Sequence, residues 1–186
     1  MFVLASGSPR RRELLTQIGL TFDVETADID ETPQVGEDVR VYVQRLAEHK
    51  AAAVFARHGN PARLTVLGAD TTVVCDGQIL GKPVDNADAA RMLRLLSGKV
   101  HQVMTGVALV TATARVVAVE VTEVTFNVLN EAKIAAYVAS GEPMGKAGGY
   151  AIQGRAAKFI PRVEGCYFNV VGLPLARVSV MLEGIR

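Results

Sequence analysis

The opening residues Phe2-Val3-Leu4, followed by Ala5-Ser6-Gly7-Ser8-Pro9, constrain this chain more than any other stretch. The short apolar run reads as a first strand, and the small residues after it as a tight turn. Ser8 stands where an N-cap belongs and Pro9 at the first helical position, so a helix begins at once. Arg10, Arg11 and Arg12 then fall in the turn where the helix dipole and the unpaired N–H groups are already positive. Arginines there weaken the helix slightly, so an anion at the helix start would account for them. Backbone N–H groups, the Ser8 hydroxyl and guanidinium forks all suit phosphate. The plain alternative is a solvated basic turn.

Beyond this opening the chain alternates strands and helices. Thr21–Glu25 reads as a strand, and residues 27–37 as an acidic loop carrying Asp28, Asp30, Glu31, Pro33 and Gly36. A long helix is expected from about Asp38 to His58, with Val39, Val43, Leu46, Ala47, Val54 and Phe55 on one stripe. Lys50 falls on that same stripe. A lysine on an inward face either lays its stem along the core with its ammonium in water or meets an anion. Thr65–Cys75 reads as a buried strand with Asp70 at its middle, where an aspartate is least welcome. Asp70 is therefore expected to face a wet cleft or to hold a cation.

Asp76-Gly77 signals a turn, and Ile79–Pro83 a short returning strand. A helix over Asn86–Leu96 would point Ala89, Met92, Leu93 and Leu96 inward and stop at Gly98. The Val-rich stretches Val100–Thr111 and Arg115–Val128 suggest an antiparallel pair. Asn130 caps a helix running to Ser140, with Gly141 ending it. The segment from Gly145 to Gly154 is a glycine-rich loop where backbone can approach a ligand closely. Strands at Phe159–Val163 and Phe168–Val171 and a helix after Pro174 complete the expected order.

Composition narrows the classes. At 186 residues the chain fits one domain, or one domain with two lobes and no separate linker. A net charge of +1 argues against a dedicated nucleic-acid binder. No apolar run approaches the ~20 residues of a membrane span. After Ser6 the N-terminus is too polar for a secretory signal, so a cytoplasmic protein is expected. Cys75 and Cys166, with His49, His58 and His101, show no zinc-type spacing, and two reduced cysteines fit that compartment.

The glycine loop matches neither the dinucleotide nor the Walker spacing. Together, though, the polar features form one inventory. Glu31 and Asp70 are an acidic pair for a divalent cation, with Asp28 and Asp30 as alternatives to Glu31 in the same loop. Arg10, Arg11, Lys50 and Lys82 are basic groups for phosphates. That is the set needed for metal-assisted attack of water on a phosphoric anhydride.

Six motifs carry a family resemblance across essentially the whole chain. They are Ser6-Gly7-Ser8-Pro9-Arg10-Arg11, Gly68-Ala69-Asp70-Thr71, Gly81-Lys82-Pro83-Val84-Asp85, Leu96-Ser97-Gly98, His101-Gln102-Val103-Met104-Thr105 and Gly149-Tyr150-Ala151-Ile152-Gln153-Gly154. In this order they resemble the Maf family of nucleoside triphosphate pyrophosphatases, historically linked to septum formation. The resemblance implies an α/β fold: a mixed, strongly twisted β-sheet flanked by helices, with two lobes around a deep cleft, as in Maf and ITPase-like proteins. It also implies cleavage of a nucleotide to its monophosphate and pyrophosphate, and allows a homodimer.

Carried over residue by residue, Asp70 matches the family's proton acceptor, and Arg10, Thr71 and Gln153 match positions tied to substrate choice. Arg, Thr and Gln there resemble the branch acting on dTTP and UTP, whereas the 7-methyl-GTP branch typically has Trp, Gln and Glu. Physical chemistry points the same way. A 7-methylguanine ring is cationic and would be repelled by Arg10, while the Gln153 carboxamide offers the donor and acceptor that the uracil or thymine edge requires.

The expected mechanism places Mg²⁺ or Mn²⁺ on Glu31 and Asp70 with phosphate oxygens. Water activated by Asp70 or polarised by the metal attacks the α-phosphorus. Arg11, Lys50 and Lys82 neutralise the polyphosphate, and Ser8 with the first-helix N–H groups cradles one phosphate. Two other readings stand beside this: a non-catalytic nucleotide sensor that regulates cell division, and a 7-methyl-GTP pyrophosphatase. Regular alternation would point Asp70 and Thr71 to opposite faces of their strand, so a bulge or strand end is expected near Gly68–Thr71 if both meet one substrate.

Overall fold

A computed structural model describes residues 1–59 and 62–185. Along the chain the elements are β1 (Phe2–Ala5), α1 (Pro9–Gln17), β2 (Asp23–Glu25), α2 (Val39–Arg57), β3 (Thr65–Cys75), β4 (Gln78–Leu80), α3 (Asn86–Leu96), β5 (Val100–Val110), β6 (Arg115–Thr125), α4 (Glu131–Ala139), β7 (Arg162–Glu164), α5 (Tyr167–Val171) and α6 (Leu175–Gly184). Short 3-10 turns lie at Ala147–Gly149 and Arg155–Phe159. The strands form a mixed seven-stranded sheet in the order β2-β1-β3-β5-β6-β7, with β4 pairing with β3. β1 runs parallel to both β2 and β3, which requires the crossovers that α1 and α2 supply. β4 and β7 run antiparallel to β3 and β6. Among the described residues no helix is long and apolar enough to cross a membrane.

The chain divides into two compact units: Met1–Thr71 with Thr105–Glu120 and Gly172–Arg186, and Thr72–Met104 with Val121–Val171. In the first, Val3, Ala5 and Val66 of the sheet pack against Ala47, Ala51, Val54 and Phe55 of α2. This helix begins at Asp38, whose carboxylate accepts from the amides of Arg40 and Val41. It sits unusually close to the strands because two glycines remove side chains beneath it. A Cβ at Gly68 would strike the carbonyl of Ala47 and lie 2.9 Å from the Ala51 amide nitrogen; one at Gly106 would strike the carbonyl of Val43. The close seating has a consequence two residues further along the same face of β3, where Asp70 comes within reach of Lys50.

In the second unit the apolar face of α3 (Ala89, Met92, Leu93, Leu96) is buried as its period requires. It joins a cluster containing Phe126, Ile134, Tyr137, Tyr150 and Phe159. His101 is buried edge-on to Phe126 and Tyr150, with Nε2 2.8 Å from the Tyr150 hydroxyl. Burial holds its pKa down at about 4, so the ring is neutral near pH 7.

The structure corrects several expected strands. Phe168–Val171 lies in the short helix α5, because a helical turn carries Asn169 inward, where Nδ2 donates to the Val103 carbonyl and the Thr122 hydroxyl. β7 covers Arg162–Glu164 instead of Phe159–Val163, since Arg155–Phe159 winds into a 3-10 turn that buries Phe159. β4 stops at Leu80, and the Gly81 carbonyl accepts from Gly148. β6 ends at Thr125, after which Phe126 and Asn127 donate to Lys99 and Phe159.

The glycine contact beneath α2 gives a direct test. Gly68→Ala should cost about 3 kcal/mol, the upper range for overpacking against backbone, read as a lower urea midpoint. Gly184→Ala, which meets open space in α6, should leave the midpoint unchanged or slightly raised. Equal midpoints for Gly68→Ala and wild type would show that α2 does not depend on this close approach.

Candidate functional site

The first unit carries the charged residues around β3. From α2, Lys50 donates to Asp70 Oδ1 at 2.6 Å and pairs with Glu31 Oε1 at 2.7 Å. The Lys50 and Asp70 side chains are only 12% and 14% exposed, whereas Glu31 is 53% exposed. One ammonium therefore joins two carboxylates from the middle of a strand and from a loop. Lys50 meets anions; its head is not simply left in water.

Glu31 reaches Lys50 because its loop is strapped to α2. The Tyr42 hydroxyl donates to the Glu31 carbonyl at 3.0 Å. Arg45 donates to the Thr32 carbonyl and, through two nitrogens, to the Glu37 carboxylate at 2.6 and 2.7 Å. This two-point bond from Arg45 lowers the Glu37 carboxyl from its ordinary 4.5 to about 2. Asp30 turns back on its own loop and accepts from the Thr32 amide, which separates it from Glu31 as a partner for Lys50. Tyr42, Arg45 and Glu37 are the parts of this arrangement that sequence reading missed. The available signal was helical spacing, since Tyr42 and Arg45 lie three residues apart on α2 just after Glu37.

At the start of α1, Ser8 occupies the N-cap position and Pro9 follows it. Among the described residues, the Ser8 side chain makes no capping hydrogen bond, so the cap does not consume its hydroxyl. Arg10 is half-buried, and burial lowers its pKa.

Arg11, expected to meet phosphate, turns inward instead. Its Nε donates to the Gly172 carbonyl at 2.9 Å. Nη1 donates to Ser6 Oγ at 2.9 Å and to the Ala69 carbonyl at 2.8 Å, and Nη2 donates to Thr71 Oγ1 at 3.0 Å. Four of the five N–H groups of a guanidinium are thus directed at protein oxygens. In this arrangement Arg11 ties the turn after β1 to β3.

Thr71 faces Arg11, and its hydroxyl also lies 2.9 Å from Thr105 Oγ1. Asp70 faces Lys50. β3 spans Thr65–Cys75, and the two neighbouring side chains meet different partners, as strand alternation leads one to expect.

The second unit carries Lys82 and Gln153, both exposed. Lys82 follows Gly81, whose carbonyl accepts from Gly148 of the glycine-rich loop at 3.0 Å. Gly148 is required there: its φ is +70°, and a Cβ would lie 2.8 Å from Val73 Cγ2. Gln153 sits in a turn at the end of that loop, immediately before Gly154. The structure thus groups Ser8, Arg10, Arg11, Glu31, Lys50, Asp70 and Thr71 in one unit and Lys82 with Gln153 in the other.

Chemically, the Lys50 cluster offers hard carboxylate oxygens beside a fixed cation, which suits polyphosphate chemistry. Comparison with known proteins agrees in kind. The dTTP/UTP pyrophosphatase of Pelotomaculum thermopropionicum is 56% identical over 183 residues, covering 97% of this chain and 94% of the relative. The dTTP/UTP pyrophosphatase of Hahella chejuensis is 52% identical over 181 residues, covering 97% and 90%. The Staphylococcus aureus Ham1 protein shares the fold at a TM-score of 0.54 and 13% identity, with 100% of this chain and 99% of that one covered. The family described as Maf-like protein matches residues 1–185, and the chain belongs to the Maf family.

Proposed function

We propose that this protein is a cytoplasmic nucleoside triphosphate pyrophosphatase that hydrolyses dTTP and UTP to the nucleoside monophosphate and pyrophosphate. The observation that carries this reading is the Lys50 ammonium held between Asp70 and Glu31. Two largely buried charges on a strand and a helix are costly to keep unless they are paired and used. Support for the substrate class comes from relatives at 50–56% identity whose name is dTTP/UTP pyrophosphatase.

The donor set fits Mg²⁺ or Mn²⁺. Asp70 and Glu31 present hard oxygens drawn to one positive centre. Among the described residues no group of three or more His, Cys, Asp or Glu could hold a metal, so phosphate oxygens would have to complete the coordination. Bound there, such an ion supplies charge neutralisation at the phosphates and acidifies water.

The protein groups do the rest. Asp70 takes the proton of the water that attacks the α-phosphorus. Lys50 shares its positive charge with the polyphosphate, and Lys82 neutralises the departing pyrophosphate. Ser8 and the first amides of α1 cradle a phosphate. Arg11 acts from behind, holding Ser6, Ala69 and Thr71 in place. Arg10 and Gln153 choose the nucleotide, the carboxamide pairing with the N3–H and O4 edge of the pyrimidine. Thr71 contributes through Arg11, the group its hydroxyl faces.

Asp70→Asn should retain dTTP binding while turnover falls at least about 100-fold, the loss expected for a missing general base. Pyrophosphate release over a nucleotide panel, with and without Mn²⁺, reads this. Near-normal turnover would reject the assignment.

The strap that presents Glu31 makes a separate, pH-dependent contribution. The Glu37 carboxyl is depressed in the folded state, so its stabilisation is full above pH 4.5 and is lost as pH falls toward about 2. The difference in urea midpoint between wild type and Arg45→Gln should therefore narrow across that window. A difference that stays constant down to pH 2 would show that Glu37 is not the partner that matters.

A further inference from the structure

Gln153 is exposed, yet the backbone on both sides of it is held by side chains that the proposed chemistry does not use. α4 ends at Ala139, and Gly141, with φ +72°, turns the chain so that Glu142 follows directly. The Glu142 carboxylate accepts from two groups: Tyr137 Oη at 2.9 Å on Oε1, and the Arg155 amide at 3.0 Å on Oε2. Tyr137 is buried in the last turn of α4, and its hydroxyl accepts from the Ala151 amide at 3.1 Å.

The amides of Ala151 and Arg155, two residues before and two after Gln153, are thus fixed by a tyrosine and a glutamate bonded to each other. The Gly154 amide closes the turn onto the Ala151 carbonyl at 3.0 Å. Gly154 must be glycine for Glu142 to approach, since a Cβ there would lie 2.6 Å from Glu142 Cδ. The Tyr137 ring packs edge-on to Phe159, and Lys146 Nζ donates to the Glu142 carbonyl at 2.6 Å, so the anchor is itself rigid. Burial alone would raise the Glu142 carboxyl. The amides of Arg155 and Ala156 and the Tyr137 hydroxyl outweigh that and hold it below the ordinary range, so it works as an acceptor.

A carboxamide satisfies a uracil edge when turned one way and a cytosine edge when turned the other. That turning is a rotation of the terminal torsion, but where the amide reaches along a base edge is set by the backbone that carries it. We propose that Tyr137 and Glu142 are positioning residues that fix the Ala151–Arg155 turn and so set the base preference exerted by Gln153. This rests on the reading of Gln153 as the residue that meets the base.

The test compares kcat and KM for dTTP and dCTP in wild type, Tyr137→Phe, Glu142→Gln, Gln153→Ala and the Tyr137→Phe/Gln153→Ala pair. Amide hydrogen exchange at Ala151 and Arg155 is measured alongside. Tyr137→Phe and Glu142→Gln should each raise KM for dTTP about tenfold, the worth of a lost buried hydrogen bond. They should leave kcat nearly unchanged, lower the preference for dTTP over dCTP, and speed exchange at the amide each one releases. Once Gln153 is gone, adding Tyr137→Phe should change the preference no further, a result a merely structural role would not give. If Tyr137→Phe fails to fold, the near-isosteric Glu142→Gln carries the same test. A preference lost in Gln153→Ala but intact in both anchor variants would overturn the positioning role while leaving Gln153 as the base reader. A preference intact in Gln153→Ala would overturn both.

Discussion

The ammonium of Lys50 between two carboxylates is the interaction on which the first unit depends. A carboxylate in the middle of a strand is costly to bury, by several kcal/mol if left without a partner. Lys50 offsets that cost for Asp70 and draws Glu31 in from a solvent-exposed loop. The arrangement is dictated by backbone packing. Gly68 and Gly106 let α2 lie against the strands, and a helix seated that closely has Lys50 level with Asp70. A methyl group at either glycine would lift the helix and lengthen the ion pair, so the glycines serve the charges as much as the core.

Arginine and lysine are used differently around this cluster. Arg11 spends its planar fork on oxygens of Ser6, Ala69, Thr71 and Gly172, which only a guanidinium can bridge at once. Lys50 is a compact point charge that can be shared with an incoming phosphate. Burial lowers the Arg11 pKa, and the nearby charge of Asp70 works against that lowering. Arg11 is therefore bonded to the framework and Lys50 to two carboxylates, although the sequence places both among phosphate-binding candidates.

What was legible followed local rules. Asp70 and Lys50 stood out because each breaks an apolar period, and the structure joins them. The helices capped by Asp85 and Asn130 ran close to their expected limits because side-chain caps and a following glycine punctuate them. What was not legible depends on partners distant in sequence. The inward turn of Arg11 needs Gly172, 161 residues away. The helical turn at Tyr167–Val171 exists to bring Asn169 to Val103 and Thr122. The Tyr137–Glu142 anchor has no periodic signature, because it acts on a loop more than ten residues further along.

Diffraction from crystals grown with Mn²⁺ and a non-hydrolysable dTTP analogue, recorded at the manganese edge, tests the role of the Lys50 cluster most directly. The expected result is one anomalous peak within coordinating distance of carboxylate oxygens of both Asp70 and Glu31. A manganese peak remote from Asp70, with the Lys50 bridge unchanged and the nucleotide bound, would contradict it.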